Sequence, residues 1–211
     1  MRIWSSHTSR EFLDARGLTH YEEGDIGCMY GWNWRHFGAQ YAGCGACYDG
    51  AGHDQLKEVL RLLRTDPMSR RIVMTTYDPM ALAGGVLEPC HGLVTQFYVN
   101  GDRLSCHMYQ RSADAFLGLP FNIASYAALT YVLAAKSGLK PAELVISLGD
   151  AHIYRDHFQQ VAMQVGRNLL PFPKLVLDPS VREKDFEELT VDDFDVVGYI
   201  YHPAIRGRMS V

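Results

Sequence analysis

The stretch G-L-V-T-Q-F-Y-V-N-G-D-R-L-S-C-H-M-Y, residues 92–109, decides the fold. Strand-forming residues fill both halves, 92–99 and 103–109, and Asn100-Gly101 between them is a strong hairpin signal. Further on, from Asn122 to Ser137, the chain is apolar almost all round, stops at Gly138 and meets Pro141 shortly after. That pattern predicts a buried helix. Upstream, residues 54–64 place Leu56, Val59, Leu60 and Leu63 at helical spacing before Pro67. Residues 155–165 read as another helix, and 71–77, 143–149 and 194–200 as further strands. Helices and strands alternate irregularly around a hairpin, which fits α+β better than a doubly wound parallel sheet. No repeat or Pro/Ser-rich linker divides the 211 residues, so a single domain over 1–211 is expected.

Composition narrows the function. With 47% hydrophobic and 21% charged residues the chain is ordinary globular material. Its net charge of -4 gives no general attraction to nucleic acid or an anionic membrane, so any phosphate must be held by a local group of arginines. The apolar runs read as shorter than a bilayer span and the start lacks a signal-peptide core, which predicts a cytoplasmic protein without a membrane partner. Five cysteines, an odd number, predict reduced thiols rather than a disulfide framework. Cys44 and Cys47 have the C-x-x-C spacing, but the second pair that a structural zinc needs is missing, so no metal is expected.

Chemistry concentrates in three places. Cys90-His91, in L-E-P-C-H-G, offers a thiol that needs a nearby cation to act as a thiolate, because its usual pKa is about 8.5. Arg111 and His91 are the candidates, although a cysteine before a strand is more often a small buried residue. Neighbours on extended chain point to opposite faces, so His91 is not expected to be the direct base. The run Y-Q-R-S-A-D-A-F-L-G-L-P-F-N-I-A-S-Y, residues 109–126, gathers Gln110, Arg111, Ser112, Asp114 and Asn122. A guanidinium beside a hydroxyl at a strand end suits a phosphate dianion. Asn122 reads as the cap of the helix it starts, while its amide also matches the amide edge of uracil. In G-D-A-H-I-Y, His152 and Tyr154 alternate and would share one strand face. Arg70 and Arg71, before a strand, read on their own as two solvated charges. The aromatic run with Tyr30, Trp32, Trp34, His36 and Phe37 reads as a core edge or a stacking surface; RNA binding lacks the adjoining basic stripe.

These runs together resemble thymidylate synthase, from Ile3 to Val211. The most specific are P-C-H at 89–91, Y-Q-R-S at 109–112, L-G-L-P-F-N-I-A-S-Y at 117–126 and G-D-A-H-I-Y at 149–154. The resemblance implies a mixed sheet with a buried central helix, a two-fold homodimer through sheet faces, and conversion of dUMP and 5,10-methylenetetrahydrofolate to dTMP and dihydrofolate. It implies that Cys90 adds to the pyrimidine, that Arg111 and Ser112 hold the phosphate, and that Arg70 and Arg71 reach across the dimer to the partner's nucleotide. Asn122 would read the base, and His152 with Tyr154 the deoxyribose hydroxyl. Tyr30 falls on the residue implicated in removing the ring proton through water, and Asp114 on the pterin anchor. Gln110 and His91 fall on ordered positions around the thiol, and Trp4, Leu117, Phe121 and Val211 on the folate wall and lid.

The family carries an upstream segment with a further phosphate-binding arginine and a glutamate for proton transfers. Neither has a counterpart in this sequence, so a domain shortened at its N-terminus relative to the family is expected. His7 stands in place of an asparagine, Asn33 of a glutamine, Cys28 of a proline, and Y-D-P at 77–79 of W-N-P. Three other readings compete with dUMP methylation: a pyrimidine-nucleotide hydroxymethylase, a non-catalytic nucleotide-binding paralogue or fragment, and a Cys-His hydrolase.

Overall fold

The computed structural model describes residues 5–209. Five α-helices of the described residues are α1 (Arg10–Ala15), α2 (Tyr30–His36), α3 (Gln55–Thr65), α4 (Gly118–Ser137) and α5 (Phe158–Val165). The strands are β1 (Val73–Met74), β2 (Val94–Asn100), β3 (Arg103–Asp114), β4 (Lys140–His152), β5 (Lys174–Leu177) and β6 (Phe194–Val197). Strands β1 to β4 form one sheet in that order, and β5 and β6 an antiparallel ribbon. β1 to β3 run antiparallel, while β4 joins β3 in parallel after the α4 crossover. The sequence pattern predicts the α+β class, and the mixed sheet is what the family resemblance implies.

The hairpin lies where expected, but its turn is shifted by one residue. Asn100 pairs with Arg103, so the two-residue loop is Gly101-Asp102, with Gly101 at φ 62° in the first central position. That position of a tight hairpin turn favours glycine, which has no Cβ to clash. Strand β1 is shorter than the expected 71–77 because the chain leaves the ladder for other partners. Thr75 N–H donates to Gln55 Oε1 at 2.8 Å, and Thr76 N–H to the Gly92 carbonyl at 3.1 Å. Strand β6 likewise ends early, before Gly198 at φ 74°. Strand β5 is an addition that the sequence pattern did not predict.

Helix α4 starts at Gly118, so Asn122 sits inside it and is not its cap. The turn leading into the helix is tied from outside: Asp114 Oδ1 accepts from Phe116 N–H at 3.0 Å and Leu117 N–H at 3.3 Å, both ahead of the first helical residue. Gly138, at φ 75°, ends the helix as expected. With 20 residues and little charge, α4 is long and apolar enough to cross a bilayer, contrary to the sequence expectation. Its later half is instead packed in protein: Tyr126, Leu133 and Ala134 join Phe97, Leu104 and Met108 of the sheet and Val59 and Leu63 of α3 in the main core. The expected burial holds only there, since Phe121 and Ile123–Ser125 in its first half are exposed. A second cluster, around Leu13, Tyr21, Met29 and Val86, fixes the start of α2 against the loop that carries Cys90.

Candidate active site

Cys90 lies on the long loop between β1 and β2, and three backbone and side-chain bonds hold it. Its N–H donates to the Tyr30 hydroxyl at 3.0 Å, and its carbonyl accepts from Arg111 N–H at 2.9 Å. The Tyr30 oxygen also stands 3.4 Å from Cys90 Sγ. Because that oxygen already accepts from the amide, its own proton is free to point at sulfur. Burial, then the neighbouring Cys90, push the Tyr30 phenol well above its ordinary range, so it remains a protonated donor.

The other thiols lack this setting. Cys106 is buried in the core, and burial pushes it up to about 12. Burial also raises Cys28, while exposed Cys44 is raised by nearby Asp25. Cys90, half-buried, lines a cavity of about 170 Å³ with Tyr30, His91, His7, Met29 and Leu87; Cys28 and Cys47 also line cavities, so the phenol at Sγ is what sets Cys90 apart. A thiol meant for attack needs access and donors rather than burial. Among the described residues no cluster of three His, Cys, Asp or Glu side chains is arranged to hold a metal.

His91 is no partner base of the Cys-His hydrolase kind. Its ring stacks on Tyr30, with centroids 3.9 Å apart and planes at 5°, and its Nδ1 lies 3.1 Å from the Tyr126 hydroxyl. Burial lowers its pKa to about 4, so it is a neutral ring near pH 7.

Strand β3 supplies the polar groups. It runs on through Asp114, so Arg111 and Ser112 sit within the strand and not at its end. Arg111 folds back onto the Cys90 loop: Nε donates to the Pro89 carbonyl at 2.9 Å, and Glu88 lies 3.6 Å from the guanidinium. Arg111, a cation that the sequence offers for Cys90, thus lies against the Cys90 loop across 22 positions, bonded to the loop's carbonyl. Buried Gln110 donates from Nε2 to Asn122 Oδ1 and to the Ser112 carbonyl, each at 3.0 Å. The Asn122 amide is therefore oriented, with its Nδ2 hydrogens left for another acceptor. Asp114 Oδ2 is buried and has no hydrogen-bond partner.

The register places Asp114 beside His152 of β4. β4 ends at His152, so Tyr154 lies just past the strand, yet the two rings still meet edge to face at 5.1 Å. His152 Nδ1 stands 3.2 Å from Asp150. Leu117 precedes α4, and Phe121 is exposed on it. Arg70 and Arg71 are exposed on the turn before β1, and neither lines the Cys90 cavity or joins a described ion pair. Trp4 and Val211 lie outside the described residues.

A thiol held by a phenol, at the rim of a mixed sheet whose neighbouring strands offer amide, carboxylate and guanidinium, defines a site for covalent work on a polar ring. The chain belongs to the thymidylate synthase family, whose model matches residues 1–211. It is 49% identical over 211 residues to the thymidylate synthase of human herpesvirus 8 type P (isolate GK18), covering all of this chain and 62% of that protein. To the thymidylate synthase of Homo sapiens it is 46% identical over 211 residues, covering all of this chain and 66% of that one. To the bifunctional dihydrofolate reductase-thymidylate synthase of Leishmania major it is 49% identical over 213 residues, again over the whole chain but 40% of that protein. The chain thus spans less than two thirds of the length of these relatives.

Proposed function

We propose that the chain carries the catalytic centre of a methyltransferase that converts dUMP and 5,10-methylenetetrahydrofolate to dTMP and dihydrofolate. The observation that carries this reading is the Cys90 thiol, 3.4 Å from a protonated phenol and open to a cavity. The thiolate forms a bond to carbon 6 of the pyrimidine, and the electron pair of the ring double bond moves onto the carbon 4 carbonyl as an enolate. Carbon 5 then attacks the one-carbon unit as its bond to one folate nitrogen opens. Loss of the carbon 5 proton expels the second folate nitrogen and leaves an exocyclic methylene; hydride from the released tetrahydrofolate reduces it to the methyl group as the thiolate departs, giving dTMP and dihydrofolate.

Each side chain has a task in that sequence. Tyr30 stabilises the thiolate by donating to it and stands where the ring proton leaves through water. Asn122, oriented by Gln110, reads the uracil edge, and Arg111 with Ser112 takes the phosphate after Arg111 exchanges carbonyl partners for phosphate oxygens. His152 and Tyr154 hold the deoxyribose hydroxyl. Asp114 suits a folate, because its unpartnered Oδ2 is an acceptor lacking donors, which a pterin's amino and ring N–H groups supply. Leu117 and Phe121 form part of the folate wall.

Two copies pair through the open sheet face, and Arg70 and Arg71 serve the partner's nucleotide. Exposure of Val94, Tyr98, Tyr109 and Val145 on that face supports the pairing. Complementation tests it: an Arg70/Arg71 double variant mixed with Cys90→Ala should recover activity that neither has alone.

The test of the reaction is a stalled adduct. With 5-fluoro-dUMP and methylenetetrahydrofolate, fluorine cannot leave as a cation, so enzyme, nucleotide and folate should stay joined. Mass spectrometry should place the adduct on Cys90; an adduct on Cys28, Cys44, Cys47 or Cys106 overturns the assignment. Asn122→Asp should also shift preference from dUMP toward dCMP by one to two orders of magnitude, since a buried polar mismatch costs roughly 1–3 kcal/mol. Unchanged relative binding would reduce Asn122 to a packing role.

A further inference from the structure

The site leaves one hydroxyl without a task. Tyr126 is fully buried in α4, one helical turn after Asn122, and a phenylalanine would fill the same core space. Its oxygen nevertheless approaches His91 Nδ1 to 3.1 Å, and room is made for it. Gly92 takes φ 67°, and a Cβ there would lie 1.9 Å from the Tyr126 oxygen. We propose that Tyr126 is a positioning residue for the Cys90 centre: its hydroxyl fixes His91 in the tautomer that carries the proton on Nε2, giving the cavity an N–H donor beside the thiol.

The inference follows from hydrogen-bond bookkeeping around one ring. A neutral imidazole has one N–H and one lone pair, and the hydrogen bond made by one nitrogen sets the role of the other. Burial pushes the Tyr126 phenol up, so it keeps its proton; in the proposed arrangement that proton points at Nδ1 rather than at the neighbouring Thr95 hydroxyl, which makes Nδ1 the acceptor. That leaves the proton on Nε2, the nitrogen able to serve the cavity that His91 lines. The ring is also held in place. Tyr30 covers one face in parallel, Tyr126 meets it edge on with planes at 87°, and Thr76 Oγ1 donates to the His91 carbonyl at 2.8 Å. Since Tyr30 in turn touches Sγ, the alignment set from α4 passes through His91 and Tyr30 to the thiol.

This deepens, and rests on, the proposed role of Cys90. Addition of the thiolate places negative charge on a ring carbonyl oxygen. A fixed neutral N–H stabilises that charge, whereas the opposite tautomer presents a lone pair and repels it.

The experiment is long-range ¹H–¹⁵N correlation on histidine-labelled protein near pH 7, with the His91 signals assigned from their loss in His91→Asn. Wild type should show a neutral ring protonated on Nε2. Tyr126→Phe should shift it toward the Nδ1-protonated form and lower kcat roughly 10-fold, the value of one neutral hydrogen bond, with KM for dUMP little changed. Protonation of wild-type Nδ1, or the same tautomer balance in Tyr126→Phe, overturns the proposal. Should Tyr126→Phe not fold, the wild-type tautomer still decides. The spectra need no turnover, so an Nε2-protonated ring in a protein that forms no Cys90 adduct would count against the proposed reaction and not against the tautomer.

Discussion

The two faces of the β1–β4 sheet are built to different degrees of completion. On one, Phe97, Val99, Leu104, Cys106 and Met108 lie under α3 and α4, none more than 2% exposed. On the other, the same strands present Val94, Tyr98, Tyr109 and Val145 at 41–61% exposure. Alternation along a strand demands two faces but does not demand that both be apolar. Large apolar groups on the uncovered side are what the proposed pairing of two copies would cover. The polar groups of β3 divide along the same line: Gln110 is on the covered side, whereas Arg111 lies next to it on the other, with Tyr109. The roles proposed for Gln110 and Arg111, at the base and at the phosphate, therefore draw on opposite faces of one strand.

The largest effects should separate these faces. Phe97→Ala, on the covered side, should lower the unfolding free energy by about 3–5 kcal/mol, the cost of deleting a buried aromatic ring. Val145→Lys, on the open side, should leave the stability of the isolated chain within about 0.5 kcal/mol, as surface changes do. The same variant should abolish dimer formation in sedimentation equilibrium, because a charge would be trapped between two apolar faces. Equal destabilisation by both variants would break the distinction, and a Val145→Lys dimer would remove the open face from the assembly.

Much of the covered face was legible in the sequence. The 54–64 periodicity, the hairpin and the stop at Gly138 all follow from local rules of spacing and turn chemistry, and the structure keeps them. What local rules missed has distant causes. Gly118 and Pro120 hide the first turn of α4, and Asp114 of the preceding strand ties down the turn just ahead of it. Thr75 and Thr76 look like strand residues but bond to Gln55 and Gly92. In the site, Cys90 meets Tyr30 and Gln110 meets Asn122, while Tyr126 was read only as part of an apolar helix. One signal could have found it: Asn122 and Tyr126 are four apart and so share a helix face.

A smaller effect should appear with pH on the covered side. His91 titrates at about 4 in the folded chain against 6.5 as the ordinary value. A lowered folded pKa means that the unfolded chain binds the proton first as pH falls. Stability is therefore fully retained above 6.5 and lost as pH drops from 6.5 towards 4. The loss from this residue reaches roughly 3 kcal/mol, because each tenfold difference in proton affinity between the two states is worth about 1.4 kcal/mol. His91→Asn should flatten that part of the urea stability profile. An unchanged slope would mean that His91 is protonated in the folded chain, and would remove the neutral ring on which its tautomer depends.

The smallest effect is on the open side, and it is informative because it should depend on concentration. His107 Nε2 lies 2.8 Å from Ser147 Oγ across β3 and β4, and both residues are exposed. In a single chain water can replace either partner, so His107→Ala should change stability by no more than about 0.5 kcal/mol. If two copies cover this face, water is excluded and the Ser147 hydroxyl loses its partner inside an interface. Truncation then costs about 1–3 kcal/mol, the usual penalty for a buried unsatisfied group. Denaturation of wild type and His107→Ala should thus give the same midpoint in dilute protein and diverge as concentration rises through the dimer dissociation constant. Midpoints that stay together across that range would show that the open face is wet in the assembly, and would move the dimer contact to another part of the molecule.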